Sequence, residues 1–304
     1  MHKTAQWIIT ALYCLGFSTN ASNTIPPESA EFSGDFALQH IAKQVSFGPR
    51  IIGHPAKQQT IDYIKQLVQP EADKFVVQPF QRFALEGNNI WASFYPAANT
   101  GSVRKRIMLG AHWDTRPISD RDSNKEHATL PVIGANDGAS GVAVLLEIAR
   151  LLSEKRAPVI VDLIFFDLED MGEIDDLPFS IGASQFVAQN RFYRPAAGVI
   201  VDMVCDRDMV IPRESYSRDR ARNLQDKIWR IAAQQKATAF IDRDGTYIND
   251  DHLPFLEAGL EVVNLIHWPF AESWHTSSDS IERCSTKSLQ QVGNVLEELI
   301  YTID

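Results

Sequence analysis

Cysteine is scarce in this 304-residue chain: there are three, and none forms a CxxC pair, which excludes a zinc-ribbon type of thiolate centre. Cys14 falls in the first segment of the chain. Cys205 and Cys284 remain, either paired in an oxidising compartment or left as two buried thiols. Positive charge is also short. With 29 Lys and Arg against 39 Asp and Glu, the formal charge is -10, which excludes binding to nucleic acid or to an anionic membrane through bulk charge. Such a balance suits a cationic ligand, for example the amino-terminal ammonium of a peptide. Internal repeats and low-complexity tracts are absent, and no GxSxG elbow offers an activated serine. Beyond residue 17 no run is apolar and long enough to cross a bilayer.

Residues 1–21 read as a signal peptide. His2 and Lys3 begin it, an apolar stretch over 7–17 is too short to span a membrane, and Thr19 and Ala21 stand at cleavage positions. The expected location is therefore periplasmic or secreted. Residues 22–34 read as a linker and 35–304 as one catalytic domain, a common size for a single α/β core.

Within the domain, helices are expected over 37–45, 56–68, 138–153, 184–190, 221–235 and 285–302. In the third, Val142, Leu145, Leu146, Ala149 and Leu152 form one helical stripe. Strands are expected over 75–83, 90–95, 107–111, 159–166, 198–203 and 262–266. The nearly all-apolar run 159–166 fits a central strand covered on both faces. This alternation predicts an α/β fold, a three-layer α/β/α sandwich around a mixed, largely parallel sheet. Ligands of such sheets bind beyond the carboxyl ends of the strands.

Those ends carry the chemistry. The first apolar strand runs into His112 and Asp114, the second into Asp167, Glu169 and Asp170, the third into Asp202. Asp137 precedes the long helix, and His275 follows the last strand. Imidazole and carboxylate are the ligands zinc takes, with one position left open at a catalytic site. Asp114 is placed to hold the His112 ring through its second nitrogen. Each residue alone has an ordinary reading: a helix cap for Asp137, a solvated strand end for Glu169 and Asp170, a core aromatic for Trp274. Their convergence on one sheet edge is what singles them out.

The motifs GAHWDT (110–115), GANDGASG (134–141), FFDLED (165–170), VDM (201–203), DDHLPF (250–255) and SWHTSSD (273–279), with FGPR at 47–50, occur in an order that resembles the zinc aminopeptidase and glutaminyl cyclase clan. The resemblance covers residues 36 to the carboxyl terminus. Within the clan, Asp250-Asp251-His252 and Trp274 before His275 resemble the glutaminyl-peptide cyclotransferases. Three departures resemble their bacterial branch more than the animal one. Asn264 stands where animal cyclases carry histidine, residues 171–180 lack a tryptophan, and Asp170 replaces the usual glutamate.

The resemblance to the cyclases implies one zinc held by Asp137, Asp170 and His275. Glu169 would move the protons, with Asp202 and Asp250 as catalytic partners and Trp274 and Phe270 lining the substrate pocket. The reaction implied is closure of an amino-terminal glutamine to pyroglutamate with loss of ammonia, on peptide or protein N-termini. The aminopeptidase alternative uses two zinc ions, with His112 and Asp202 as additional ligands and Asp137 shared. A third reading, a non-catalytic binding domain, gives no reason for Glu169 to stand beside the metal.

Overall fold

Residues 31–97 and 105–303 are described by the structure, a computed structural model. The expected signal peptide, with Cys14, lies outside the described residues. Helix α1 (Gly34–Phe47) begins at Ser33, whose hydroxyl accepts from the Phe36 N–H. α2 (Pro55–Val68) has proline in its first turn, where the missing N–H has no helical partner to lose. The hairpin β1 (Lys74–Arg82) and β2 (Leu85–Phe94) follows, then β3 (Arg106–His112), α3 (Ala139–Glu154), β4 (Ile160–Phe166), α4 (Ile181–Gln189) and β5 (Ala197–Asp202). The remainder comprises β6 (Ile211–Arg213), α5 (Ser215–Arg220), α6 (Arg222–Gln234), β7 (Phe240–Asp244), α7 (Leu253–Glu257), β8 (Val262–Ile266) and α8 (Thr286–Thr302).

Six strands form the main sheet in the order β1-β2-β4-β3-β5-β8. The strands β4, β3, β5 and β8 run parallel, and the hairpin adds two antiparallel strands at one edge. Chain order turns back across β3, with β4 on one side and β5 on the other, so a crevice opens beyond the ends of β3 and β5. Helices α1, α2, α3 and α8 pack together on one face, while α4, α5 and α7 form the other layer. The apolar stripe of α3 is buried throughout, and β5 is buried at every position. No helix among the described residues is long and apolar enough to cross a membrane.

The linker was read two or three residues too far. Phe32 is 3 % exposed and fills the notch left by Gly293 on α8, where a Cβ would stand 2.1 Å from its ring. The Phe32, Ser33 and Gly34 amides donate to Glu297, Glu147 and Gln290 at 2.9, 2.9 and 2.8 Å, and Gly34 already opens α1. One aromatic residue in a polar stretch carries no periodicity, so its burial had no local signal. β6 and β7 were also not foreseen, since one is three residues long and the other, FIDRD, is mostly polar. Nor were the short α5 and α7. Cys205, just past β5, and Cys284, just before α8, form a disulfide that resolves the open question of their pairing.

Phe32→Ala is expected to lower the unfolding free energy by about 3–5 kcal/mol in urea denaturation. A loss below about 1 kcal/mol would show that this segment is peripheral to the fold.

Candidate active site

Glycine permits the first close approach at the sheet edge. Gly138 sits at φ 66°, ahead of α3, and a Cβ there would lie 2.8 Å from the His112 ring. A side chain at Gly141 would stand 2.2 Å from the Val201 carbonyl, so only glycine lets the first turn of α3 close on β5. Asp137 is thereby delivered against His112, the last residue of β3.

Carboxylates hold the ligand-bearing loops through their backbone. Asp114 accepts the N–H groups of Glu169 and Asp170 at 3.0 and 3.2 Å. Asp279 accepts those of Asn136 and Asp137 at 2.9 and 3.0 Å. Asp114 had been expected to serve the His112 ring. It does approach it, 3.6 Å from Nδ1, but its hydrogen bonds go to the strand end after β4. The fully buried Arg50 donates to the Trp113 and Gly134 carbonyls at 3.1 and 2.8 Å, tying the end of β3 to the loop of Asp137. Leu168, Met203 and His275 all adopt positive φ, at 58°, 50° and 54°. Each such residue stores on the order of 1–3 kcal/mol, and all three adjoin or belong to the site.

Two groups of ligand-type side chains result, Asp137 with Asp170 and His275, and Asp137 with His112 and Asp202. Within each, one ligand atom per residue lies within 4.8 Å of the others. They differ in how those atoms are engaged. His112 Nε2 hydrogen-bonds Asp202 at 3.1 Å and stands 3.0 Å from Asp137. His275 Nε2 lies 3.1 Å from Asp170 and 3.7 Å from Asp137, and no hydrogen bond joins them. Asp170 Oδ2 is buried with no partner, although Arg116 donates to Oδ1 at 3.2 Å. An orphaned buried carboxylate oxygen beside an unengaged imidazole nitrogen fits a divalent cation, and the N/O donor set fits zinc. Aspartate at 170 reaches this cluster despite being one methylene shorter than glutamate.

A cavity of about 250 Å³ opens on the cluster. Glu169, Asp202 and Asp250 share its wall with Asp137 and His275, and Phe270 and Trp274 form an aromatic side. The Trp274 ring lies 3.9 Å from that of His275 and 4.3 Å from that of Phe270. Asp137, Glu169, Asp202, Asp250, Phe270, Trp274 and His275 line the cavity, while Asp170 and His112 belong to the ligand-type groups without lining it. Asp167, also singled out, belongs to neither and is instead paired with Lys57 at 2.7 Å. Glu173 lines the cavity, while Asp175 and Asp176 on the same loop do not. Phe179 stands on the wall from the tryptophan-free loop, and Tyr247 and Arg121 join from elsewhere. Sequence reading missed all three, since none lies at a strand end. Asn264, on β8, donates to Asp250 at 2.6 Å, which fixes one oxygen of that carboxylate.

Burial, reinforced by the Asp250, Asp251 and Asp170 carboxylates, pushes Glu169 well above the usual glutamate range against the pull of His112. Burial likewise raises Asp202 to about 7, against His112. Burial pulls His112 down, but Asp114, Asp137 and Asp202 together push it well above the usual histidine range. The site thus carries more negative charge than its own cations neutralise.

The family model of peptidase family M28 matches residues 89–300, and the chain belongs to that family. The chain is 31% identical to a glutaminyl cyclase of Bacteroides thetaiotaomicron, solved bound to N-acetylhistamine, with a TM-score of 0.83 over 90% of this chain and 99% of that one. A leucine aminopeptidase precursor from the same organism matches equally, at 31% identity and TM-score 0.83 over 90% and 98%. A glutaminyl-peptide cyclotransferase-like protein of Bos taurus is 25% identical over 246 residues, which is 70% of this chain but only 59% of that relative's length.

Asp202 and Asp279 are raised from 3.8 to about 7, chiefly by burial. A raised folded value means that the associated stability is complete below the ordinary pKa and is lost as pH climbs through about 7. A bound cation offsets the repulsion that causes this. Chelator-treated protein is therefore expected to lose several degrees of Tm between about pH 4 and about pH 7, and metal-loaded protein much less. Equal pH slopes with and without metal contradict this.

Proposed function

We propose that the protein is a glutaminyl-peptide cyclotransferase, converting the amino-terminal glutamine of peptides to pyroglutamate with release of ammonia. The observation that carries the reading is the position of Glu169. It belongs to neither group of ligand-type residues, yet it lies in the same cavity as the Asp137–Asp170–His275 cluster, with burial favouring its protonated form. A carboxyl group beside the ligand-type residues but outside both groups is positioned to take a proton and to give one. The bacterial cyclase matched over nearly its whole length supports the same reading.

Asp137, Asp170 and His275 would hold the zinc, which supplies a Lewis acid for an amide carbonyl when bound. The substrate carries its own nucleophile, so no activated serine or cysteine is needed. Its α-amino nitrogen forms a bond to the side-chain amide carbon as the bond from that carbon to the amide nitrogen breaks. Glu169 takes the proton that the amine sheds and delivers one to the departing ammonia. Asp202, fixed by His112, orients the amine, and Asp250, fixed by Asn264, receives the amide nitrogen. Trp274 and Phe270 enclose the glutamine and exclude water.

A metallo-aminopeptidase is the second reading, favoured by the second ligand-type group, which shares Asp137. We also place the mature protein outside the cytoplasm, in the periplasm or secreted; the Cys205–Cys284 disulfide supports this, since such bonds persist in oxidising compartments.

With glutaminyl-arylamide as substrate, ammonia is expected while the arylamide stays intact; free arylamine instead supports the peptidase. Glu169→Gln is expected to lower kcat about 10²–10⁴-fold with metal content unchanged. Loss of metal from that variant would assign Glu169 as a ligand. His112→Ala is expected to keep its ion under the one-metal reading and to lose metal under the two-metal reading.

A further inference from the structure

Among the described residues lining the active cavity, Arg121 is the sole lysine or arginine, sharing it with Asp137, Glu169, Glu173, Asp202 and Asp250. Its backbone N–H donates to the His275 carbonyl at 3.2 Å, which ties it to the ligand loop. Its guanidinium carbon lies 5.2 Å from the centre of the Trp274 ring, the same ring that backs His275. No carboxylate among the described residues comes within 4.0 Å of it, whereas Arg116 nearby is paired with Asp120 and Asp170. A cation–π contact leaves guanidinium N–H groups available, and the guanidinium fork matches a carboxylate. An acidic cavity with one cation at an exposed position has two electrostatic ends. The buried acids suit the substrate ammonium, and Arg121 suits an anion a short distance along the peptide.

We propose that Arg121 is a specificity-determining residue that selects peptides carrying a carboxylate next to the amino-terminal residue. This rests on the reading of the cavity as the site that receives peptide N-termini. Two sources share this chemistry, an acidic side chain at the second position and the free carboxyl end of a dipeptide. The pairing is at the cavity mouth, so its effect is modest and weakens with salt.

The test compares Gln-Glu-amide with its neutral isostere Gln-Gln-amide and with Gln-Lys-amide, and Gln-Ala with Gln-Ala-amide, on the zinc-loaded full chain. Ammonia and free glutamine are followed separately, and the ranking is read on whichever appears. Binding is measured in parallel by calorimetry in the Glu169→Gln background, so the ranking survives even if the cyclase reading fails. At least one carboxylate peptide, glutamyl or free-acid, is expected to exceed its neutral partner about tenfold in kcat/KM and in affinity. Which one does so identifies the source. In Arg121→Glu the order is expected to invert, with Gln-Lys-amide preferred over Gln-Glu-amide and the free-acid advantage lost. Equal affinities for the charged and neutral peptides, or an acidic preference that persists in Arg121→Glu, overturn the assignment.

Discussion

Too many buried carboxylates converge on too few cations at the carboxyl edge of the sheet, and this mismatch governs the molecule's chemistry. Asp137, Asp170, Asp202, Asp250, Asp251 and Glu169 are all nearly inaccessible. Arg116 and His112 compensate only part of that charge, and burial drives several of the acids toward their neutral forms. An uncompensated carboxylate in such surroundings is costly, and a divalent cation between Asp137, Asp170 and His275 relieves it. Burial and the same crowded carboxylates raise Glu169 above the usual glutamate range. In the proposed reaction, metal binding and proton transfer would share one electrostatic cause.

The scaffold keeps this unfavourable cluster in place by using other charges on the backbone. Asp114 and Asp279 are spent on the amides of ligand-bearing segments, and Arg50 on carbonyls of the same loops. Leu168 and His275, both at positive φ, lie in or next to the segments that these bonds anchor. The disulfide from the end of β5 to the start of α8 closes the long stretch that contains the Asp250 and His275 loops. Preorganisation here is a matter of loops tied down by buried ionic groups, on a sheet whose strand ends already point the same way.

Much of this was legible in the chain. Strands covered on both faces leave runs such as 159–166 with hardly a polar residue, and the α3 stripe repeats at helical spacing, so both could be located from sequence alone. His112, Asp170 and Asp202 stood out because each lies at or just past the end of such a run, and Asp137 and His275 because they fall within motifs of the resemblance. What stayed hidden depends on contacts between distant segments. Asp279 and Arg50 lie within recognised motifs, yet their roles run through main-chain groups, which residue type does not reveal. Phe32 becomes core only because Gly293, far along the chain, leaves room for it. Arg121, Phe179 and Tyr247 reach the cavity from loops without periodicity, and β7 is an edge strand with mostly polar residues.

Anomalous diffraction at the zinc absorption edge, on crystals of the zinc-loaded protein, tests the central claim most directly. The account predicts a single strong peak bounded by Asp137, Asp170 and His275, with the Glu169 carboxylate outside the coordination sphere. A second peak of equal height at His112 and Asp202, or zinc ligated by Glu169, contradicts it.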